Sequence, residues 1–188
     1  MNTNWQTIHQ LIQGNGFTIA TGLTDTELER AEAVIGGKFP PDLREFLAFG
    51  LPIGKRAPNW REPDSESIRE QLAWPFDGMA FDIENNVFWL RDWGPRPTEL
   101  KDALEIARKH VSAAPKLIPI FGHRYIPAEP ELAGNPVFSV YQTDIIYYGT
   151  DLMKYFLCEF NQLTYEDAVR ADAREVRFWS KLVEANNG

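Results

Sequence analysis

The chain has a single cysteine among its 188 residues, so it cannot form a disulfide within itself. Cys158 lies in the apolar run LMKYFLCEF, which predicts a buried, unreactive thiol rather than a nucleophile. The N-terminus has no signal-peptide pattern, and no apolar run reaches membrane-spanning length. We therefore expect a cytoplasmic protein that does not bind membranes.

Residues suited to metal or covalent chemistry are also scarce. The three histidines stand at positions 9, 110 and 123, and neither HExxH nor CxxC occurs. GxSxG, GxxxxGK[ST] and GxGxxG are missing as well. The sequence therefore predicts no catalytic residue, metal or cofactor, and hence no enzyme. Paired carboxylates for acid–base chemistry stay open as an alternative, because such pairs are formed by folding.

Positive charge is in deficit: 27 acidic residues stand against 19 basic ones, and the net charge is −8 at pH 7. Residues 129–167 carry −6 of that charge, because seven acids accompany one base, Lys154. An acidic segment repels phosphate backbones and anionic lipid, which disfavours nucleic-acid and membrane partners and favours a basic protein. The alternative is a solvated acidic face that only keeps the protein soluble.

The rest of the composition is that of a soluble globular domain, with 44% hydrophobic residues and six tryptophans. Thr24 and Glu27 have the spacing of a capping box, and Gly36-Gly37 would end the helix that they begin. Apolar periodicity and capping residues predict further helices at 5–13, 42–49, 65–73, 97–110, 150–160 and 164–185.

The strongest β pattern is residues 79–94 (MAFDIENNVFWLRDWG). Two alternating runs flank Asn85-Asn86, and asparagine tolerates the positive φ of a type I′ hairpin turn. One face of the predicted hairpin is apolar, and the other is mixed, with Asp82, Glu84, Trp89 and Arg91. A salt bridge from Asp82 to Arg91 is favoured over a cation site shared by Asp82 and Glu84.

Strands are also predicted at 117–126, 137–142 and 145–148, which gives an α+β fold with an antiparallel or mixed sheet flanked by helices. Within IPIFGHRYIP (118–127), Pro119 excludes a central strand position and Gly122 suits a bend. His123 and Tyr125 then share one face. Arg124 lies on the other face, and pairing with Glu129 or Glu131 is one interpretation of it.

Aromatic residues beside charged ones are over-represented, and such residues anchor many protein–protein interfaces. The predicted partner-binding residues are Trp60, Arg61, Asp82, Glu84, Trp89, Arg91, Trp93, His123 and Tyr125. The alternative is that several tryptophans simply fill the core, and Trp74 and Trp179 in particular are expected to be packed inside.

Residues 32–47 (EAVIGGKFPPDLREFL) resemble the N-terminal signature of the SUKH superfamily, relatives of a yeast cell-wall-assembly regulator. Residues 117–160 resemble a bacterial subgroup through a PI strand, the NPVFSV strand and the DIIYYGTDL segment. The resemblance spans most of 25–160. One departure is that His123-Arg124 follows Gly122 where many members have a Gly-Asp pair, so no role of that acidic residue carries over.

The resemblance implies a single α+β domain over 1–188, with a core at about 24–160 and a C-terminal helix at about 164–185. It also implies a non-enzymatic immunity protein that binds and neutralises a cognate toxin, and the acidity would suit a basic, nuclease-type toxin. A general adaptor of the same fold is the alternative. A third hypothesis is an enzyme or small-ligand protein with a cleft lined by Trp89, His123 and Tyr125.

Overall fold

Residues 5–186 are described in this computed structural model, and they form eight α-helices and six β-strands. The helices are α1 (Trp5–Gly14), α2 (Asp25–Ile35), α3 (Pro41–Phe49), α4 (Glu66–Asn85), α5 (Leu100–Ser112), α6 (Leu152–Glu159), α7 (Tyr165–Val169) and α8 (Trp179–Asn186). The strands are β1 (Thr18–Thr21), β2 (Gly50–Ile53), β3 (Leu117–Phe121), β4 (Arg124–Pro127), β5 (Val137–Tyr141) and β6 (Asp144–Gly149). The predicted α+β fold is confirmed.

The strands form two antiparallel sheets. β1 pairs with β2, and β3-β4-β5-β6 form a four-stranded sheet in sequence order. β3 lies at the edge of that sheet, so the edge position predicted for Pro119 is confirmed. The segment 117–126 is not one bent strand, however. Gly122, with φ of 56°, and His123 turn the chain back, so that Phe121 pairs with Arg124.

The four-stranded sheet separates two apolar clusters. One contains Ile118 and Ile126 together with residues of α1, α2, α3 and α6. The other contains Tyr125 and Phe138 together with residues of α4, α5 and α8. Cys158 is buried as predicted. Within residues 5–186, no helix is long and apolar enough to cross a membrane.

Helix α2 begins and ends where the sequence predicts. The backbone N–H of Thr24 donates to Glu27 Oε2 at 2.8 Å, and the Glu27 N–H donates to Thr24 Oγ1 at 3.3 Å. Gly36 ends the helix with φ of 72°, which glycine adopts without steric cost. The two contacts between Thr24 and Glu27 confirm the predicted capping box. The sequence predicts it because every contact that forms it lies within three residues.

The predicted hairpin at 79–94 is wrong. Helix α4 continues without interruption to Asn85, and residues 91–93 form a short 3-10 turn. Met79 and Ile83 are fully buried at helical spacing, and this packing decides between helix and strand. The mixed face defined by strand alternation therefore does not exist, and Asp82 and Glu84 do not share a strand face.

Pro75 lies inside α4, where it cannot donate a hydrogen bond to the carbonyl of Gln71 four residues earlier. The hydroxyl of Tyr125 donates to that carbonyl instead, at 2.8 Å. Because the otherwise unpaired acceptor is satisfied by the sheet, Pro75 is accommodated, and the helix predicted at 65–73 continues to Asn85, for 20 residues.

Asp82 is buried against the β5–β6 turn, and the predicted salt bridge to Arg91 is wrong. Its Oδ2 accepts from the Thr143 N–H at 2.9 Å and from Thr143 Oγ1 at 2.6 Å, and its Oδ1 accepts from Asn86 Nδ2 at 2.6 Å. Burial opposes ionisation of this carboxyl. The hydrogen bonds from Thr143 and Asn86 outweigh that effect and hold the pKa of Asp82 below its usual value.

Replacing Asp82 with asparagine is expected to lower the free energy of unfolding by about 1–3 kcal/mol, because one amide oxygen cannot accept all three hydrogen bonds. Because the folded-state pKa of Asp82 is depressed, the stability that its ionisation adds is present above about pH 4 and is lost as the pH falls further. Urea unfolding of both proteins between acidic and neutral pH measures this. An equal stability of the two proteins at neutral pH would contradict it.

The predicted C-terminal helix at 164–185 is also wrong in extent. Two helices, α7 and α8, are separated by residues 170–178, and Val176 in that segment is buried. The Val176 N–H donates to Ser180 Oγ at 2.7 Å. Trp179 is buried as predicted, and its Nε1 donates to the Pro115 carbonyl at 2.7 Å.

Candidate binding cleft and helix face

A cleft of about 690 Å³ opens beside the N-terminal half of α4. Its lining comes from the β2–α4 loop, from α4, from the β3–β4 hairpin and from the end of β5. The lining residues are Lys55, Arg56, Ser67, Glu70, Gln71, Trp74, Gly122, His123, Tyr125 and Tyr141. We refer to this set as the cleft.

Hydrogen bonds between distant segments hold the cleft in shape. Trp74 Nε1 donates to the Val140 carbonyl at 3.1 Å, which ties α4 to β5. The Gly122 N–H donates to the Arg56 carbonyl at 2.7 Å and ties the hairpin to the β2–α4 loop. Together with the bond from Tyr125 to α4, these contacts fix every wall.

Two large aromatic side chains at the cleft are open to solvent. Trp74 is 44% exposed and Tyr141 is 57% exposed. The prediction that Trp74 is packed inside is wrong, because the phase of α4 turns this side chain away from the buried positions Met79 and Ile83. Its indole N–H is nevertheless bonded to the sheet, so the ring is both accessible and held in place.

Charges of both signs lie in the cleft. Lys55 and Glu70 are exposed, and neither forms an ion pair within residues 5–186. Burial is the main cause that lowers the pKa of His123. The positive charges of Arg124 and Arg56 lower it further, and the negative charge of Glu159 opposes them. The imidazole is therefore neutral at pH 7 and adds no charge.

Behind the cleft lies an ion cluster, centred on the buried carboxylate of Glu159, that connects three segments. Arg56 Nη2 lies 2.6 Å from Glu159 Oε1, and Arg124 Nε lies 3.4 Å from Glu159 Oε2. The Arg124 guanidinium also stacks on the Tyr148 ring at 3.6 Å and donates to Ser139 Oγ at 2.7 Å. The interpretation in which Arg124 pairs with Glu129 or Glu131 is therefore wrong.

Several predicted partner-binding residues are buried and are not available at the surface. Trp60 is 1% exposed and packs edge-on against Phe39, and Tyr125 is also 1% exposed. Asp82 is 5% exposed and Trp93 is 8% exposed, where it lies edge-on to Trp89. At Trp60 and Trp93 the backbone turns the ring into the core and leaves the neighbouring charged side chain, Arg61 or Asp92, more exposed.

The other predicted residues are accessible but do not form one site. Half-buried Arg61 is bonded to Glu27 and to the Thr21 carbonyl, and half-buried Trp89 donates to the Gly94 carbonyl at 2.8 Å. Glu84 and Arg91 are exposed, one on α4 and the other in the 3-10 turn. His123 and Tyr125 do meet in the cleft, whereas Trp89 does not line it.

Helix α4 also carries an exposed face that strand alternation obscured. Side chains at i, i+4, i+8, i+11, i+15 and i+18 fall on one side of a helix. In α4 these positions form the outer stripe Glu66, Glu70, Trp74, Asp77, Phe81 and Glu84. All six are exposed, and within residues 5–186 none of the four acids forms a salt bridge. Helical spacing, applied to residues 66–84 instead of strand alternation, would have identified this stripe from the sequence.

Comparison with known proteins gives no relative: no protein-family model, no curated protein and no solved structure matches the chain. Within residues 5–186, no group of three or more histidine, cysteine or acidic side chains is placed to hold a metal ion.

Proposed function

We propose that the chain is a non-enzymatic protein-binding module that contacts its partner through the outer stripe of α4. The observation that carries this proposal is the exposure of Trp74 and Phe81, at 44% and 48%, seven residues apart on one helix face. Large aromatic side chains that stay accessible supply most of the binding energy in many protein interfaces. Glu70 and Asp77 flank Trp74 on this face, and Asp77 and Glu84 flank Phe81.

The partner that fits this surface is a basic protein. Four carboxylates line the stripe, and the chain has a net charge of −8, so a positively charged surface would be attracted and oriented before contact. The acidic segment 129–167 contributes less to this attraction than its composition suggests, because Glu159 is paired internally with two arginines. A nucleic acid or an anionic membrane would be repelled by the same charges.

The SUKH resemblance supports a specific form of this function. In that form the partner is a cognate toxin, for example a basic nuclease, and the chain acts as an immunity protein that neutralises it by direct binding. A pull-down against any toxin that is encoded beside this chain tests the assignment. Capture of an unrelated cellular protein on the outer stripe would instead favour the adaptor alternative, with the same binding face.

Replacing Phe81 with alanine is expected to weaken binding of the protein partner by about 30-fold, the effect of losing a hot-spot aromatic. Replacing Asp77 with lysine should mainly slow association, and more so at low salt. Titration calorimetry and stopped-flow mixing measure the two effects. Leu132→Ala, at a residue that is 55% exposed and outside the stripe, is the matched control. Unchanged affinity of the Phe81 variant would remove the stripe from the interface.

A further inference from the structure

We propose that the cleft binds a zwitterionic ligand with an aromatic ring, that is, an aromatic amino acid, either free or within a short peptide. The proposal concerns a small-ligand site and does not rest on the partner assigned to the outer stripe. Its volume of about 690 Å³ has room for such a ligand, since small-molecule sites span roughly 300–1,000 Å³.

The aromatic part of the ligand is assigned from the cleft walls. Trp74 and Tyr141 present exposed ring surface, and Tyr125 contributes a buried ring from the sheet. Because Trp74 and Tyr125 are both hydrogen-bonded to backbone carbonyls, these rings do not need to be ordered when a ligand binds. A flat ring can pack on the exposed faces of Trp74 and Tyr141 in stacked or edge-on contact, as aromatic pairs prefer.

The charges of the ligand are assigned from two side chains that lack partners. Lys55 and Glu70 line the same cleft, and neither forms a salt bridge with the other or with any residue that the structure describes. A simple anion would be attracted by Lys55 but repelled by Glu70. A simple cation would be attracted by Glu70 but repelled by Lys55. A ligand with a carboxylate and an ammonium group can pair with both.

Arg56 and His123 leave the cleft with one basic side and one acidic side. The Arg56 guanidinium is bonded to Glu159 at 2.6 Å, but Arg124 shares that single carboxylate, so the cluster keeps one net positive charge. Neutral His123 contributes ring nitrogens for hydrogen bonding rather than a net charge, and Ser67 contributes a hydroxyl at the α4 wall. The cleft therefore presents positive charge at Lys55 and Arg56 and negative charge at Glu70, beside its aromatic walls.

Calorimetric titration of the full chain with L-phenylalanine at low salt tests the proposal. Three matched probes each remove one feature: N-acetyl-L-phenylalanine lacks the ammonium, L-phenylalaninamide lacks the carboxylate, and L-alanine lacks the ring. We expect each charge-deleted probe to bind about fivefold more weakly than L-phenylalanine, as for a partly exposed ion pair. L-alanine should bind at least about tenfold more weakly because it loses the ring contacts.

Variants assign each ligand charge to its residue. Lys55→Ala should lower the affinity for L-phenylalanine to that for L-phenylalaninamide and should leave the affinity for the amide unchanged. Glu70→Gln should lower the affinity for L-phenylalanine to that for N-acetyl-L-phenylalanine and should leave the affinity for the N-acetyl probe unchanged. Tyr141→Ala should weaken the binding of every probe that has a ring, and Leu132→Ala should change no affinity.

Tighter binding of the peptide Lys-Phe-Glu than of L-phenylalanine identifies a peptide source; equal or weaker binding identifies the free amino acid. The proposal is overturned if neither binds at millimolar concentration, or if the Lys55 and Glu70 variants bind like the wild type.

Discussion

Replacing Glu159 with glutamine is expected to lower the free energy of unfolding by about 3 kcal/mol or more. The Glu159 side chain is only 7% exposed and is shared by Arg56 and Arg124. Glutamine keeps the shape of the side chain but removes its charge, and this leaves the Arg124 guanidinium, which is 9% exposed, without a nearby anion. A buried charge that loses its partner costs far more than the pair itself contributes.

Urea unfolding measures this loss, and Asp64→Asn provides the matched control. Asp64 pairs with Arg30, but both side chains are more than half exposed, so its neutralisation should cost less than about 1 kcal/mol. If the two variants were equally stable, the ion cluster behind the cleft would be hydrated rather than buried, and its role in joining the β2–α4 loop, β4 and α6 would be lost.

Replacing Trp60 with alanine is expected to lower the free energy of unfolding by about 3–5 kcal/mol, the range for removing a large aromatic side chain from a core. Trp60 is 1% exposed, and its ring centroid lies 5.2 Å from that of Phe39. Trp74→Ala removes the same number of atoms from a ring that is 44% exposed, so it should cost much less stability.

Thermal and urea unfolding of the two tryptophan variants, measured side by side, check this contrast. Equal losses would mean that exposure does not distinguish the two positions. A stable Trp60 variant with weakened partner binding would restore the original assignment of Trp60 to an interface. The pair is informative because both tryptophans stand next to proline or polar residues, and the local sequence does not separate them.

Local signals predict much of the fold. The ends of α2 follow from Thr24, Glu27 and Gly36, whose contacts reach no further than four residues. Asp151 starts α6 in the same way, by accepting from the Lys154 N–H at 2.8 Å. Where all interacting groups are close in sequence, the pattern of residue types is enough to place an element.

The failure at 79–94 has a non-local cause. The α4 carbonyl freed by Pro75 is satisfied by Tyr125, 54 residues away from Gln71, and the Asp82 carboxylate is satisfied by Thr143, 61 residues away. Gly78 also lets α4 approach the β5–β6 turn, since a Cβ there would lie 2.8 Å from Gln142 Cα. These contacts select the helix, and none can be inferred from residues 79–94 alone.

The candidate cleft was predicted only in part for the same reason. His123 and Tyr125 were expected on one face and do line one cavity. Lys55, Trp74 and Tyr141 were not expected beside them, because they come from three different elements that meet only in the folded chain. The ligand class proposed for the cleft depends on these three residues and on Glu70, so it can be inferred from the structure and not from the sequence.

The distribution of the six tryptophans gives the protein an optical reporter of its own. Four are buried, Trp89 is half-buried, and Trp74 alone is substantially exposed to water. Its emission should lie furthest to the red and should be quenched by iodide before that of the others. Because Trp74 belongs to both the cleft and the outer stripe, a blue shift with protection from iodide would signal occupation of this region without any attached dye.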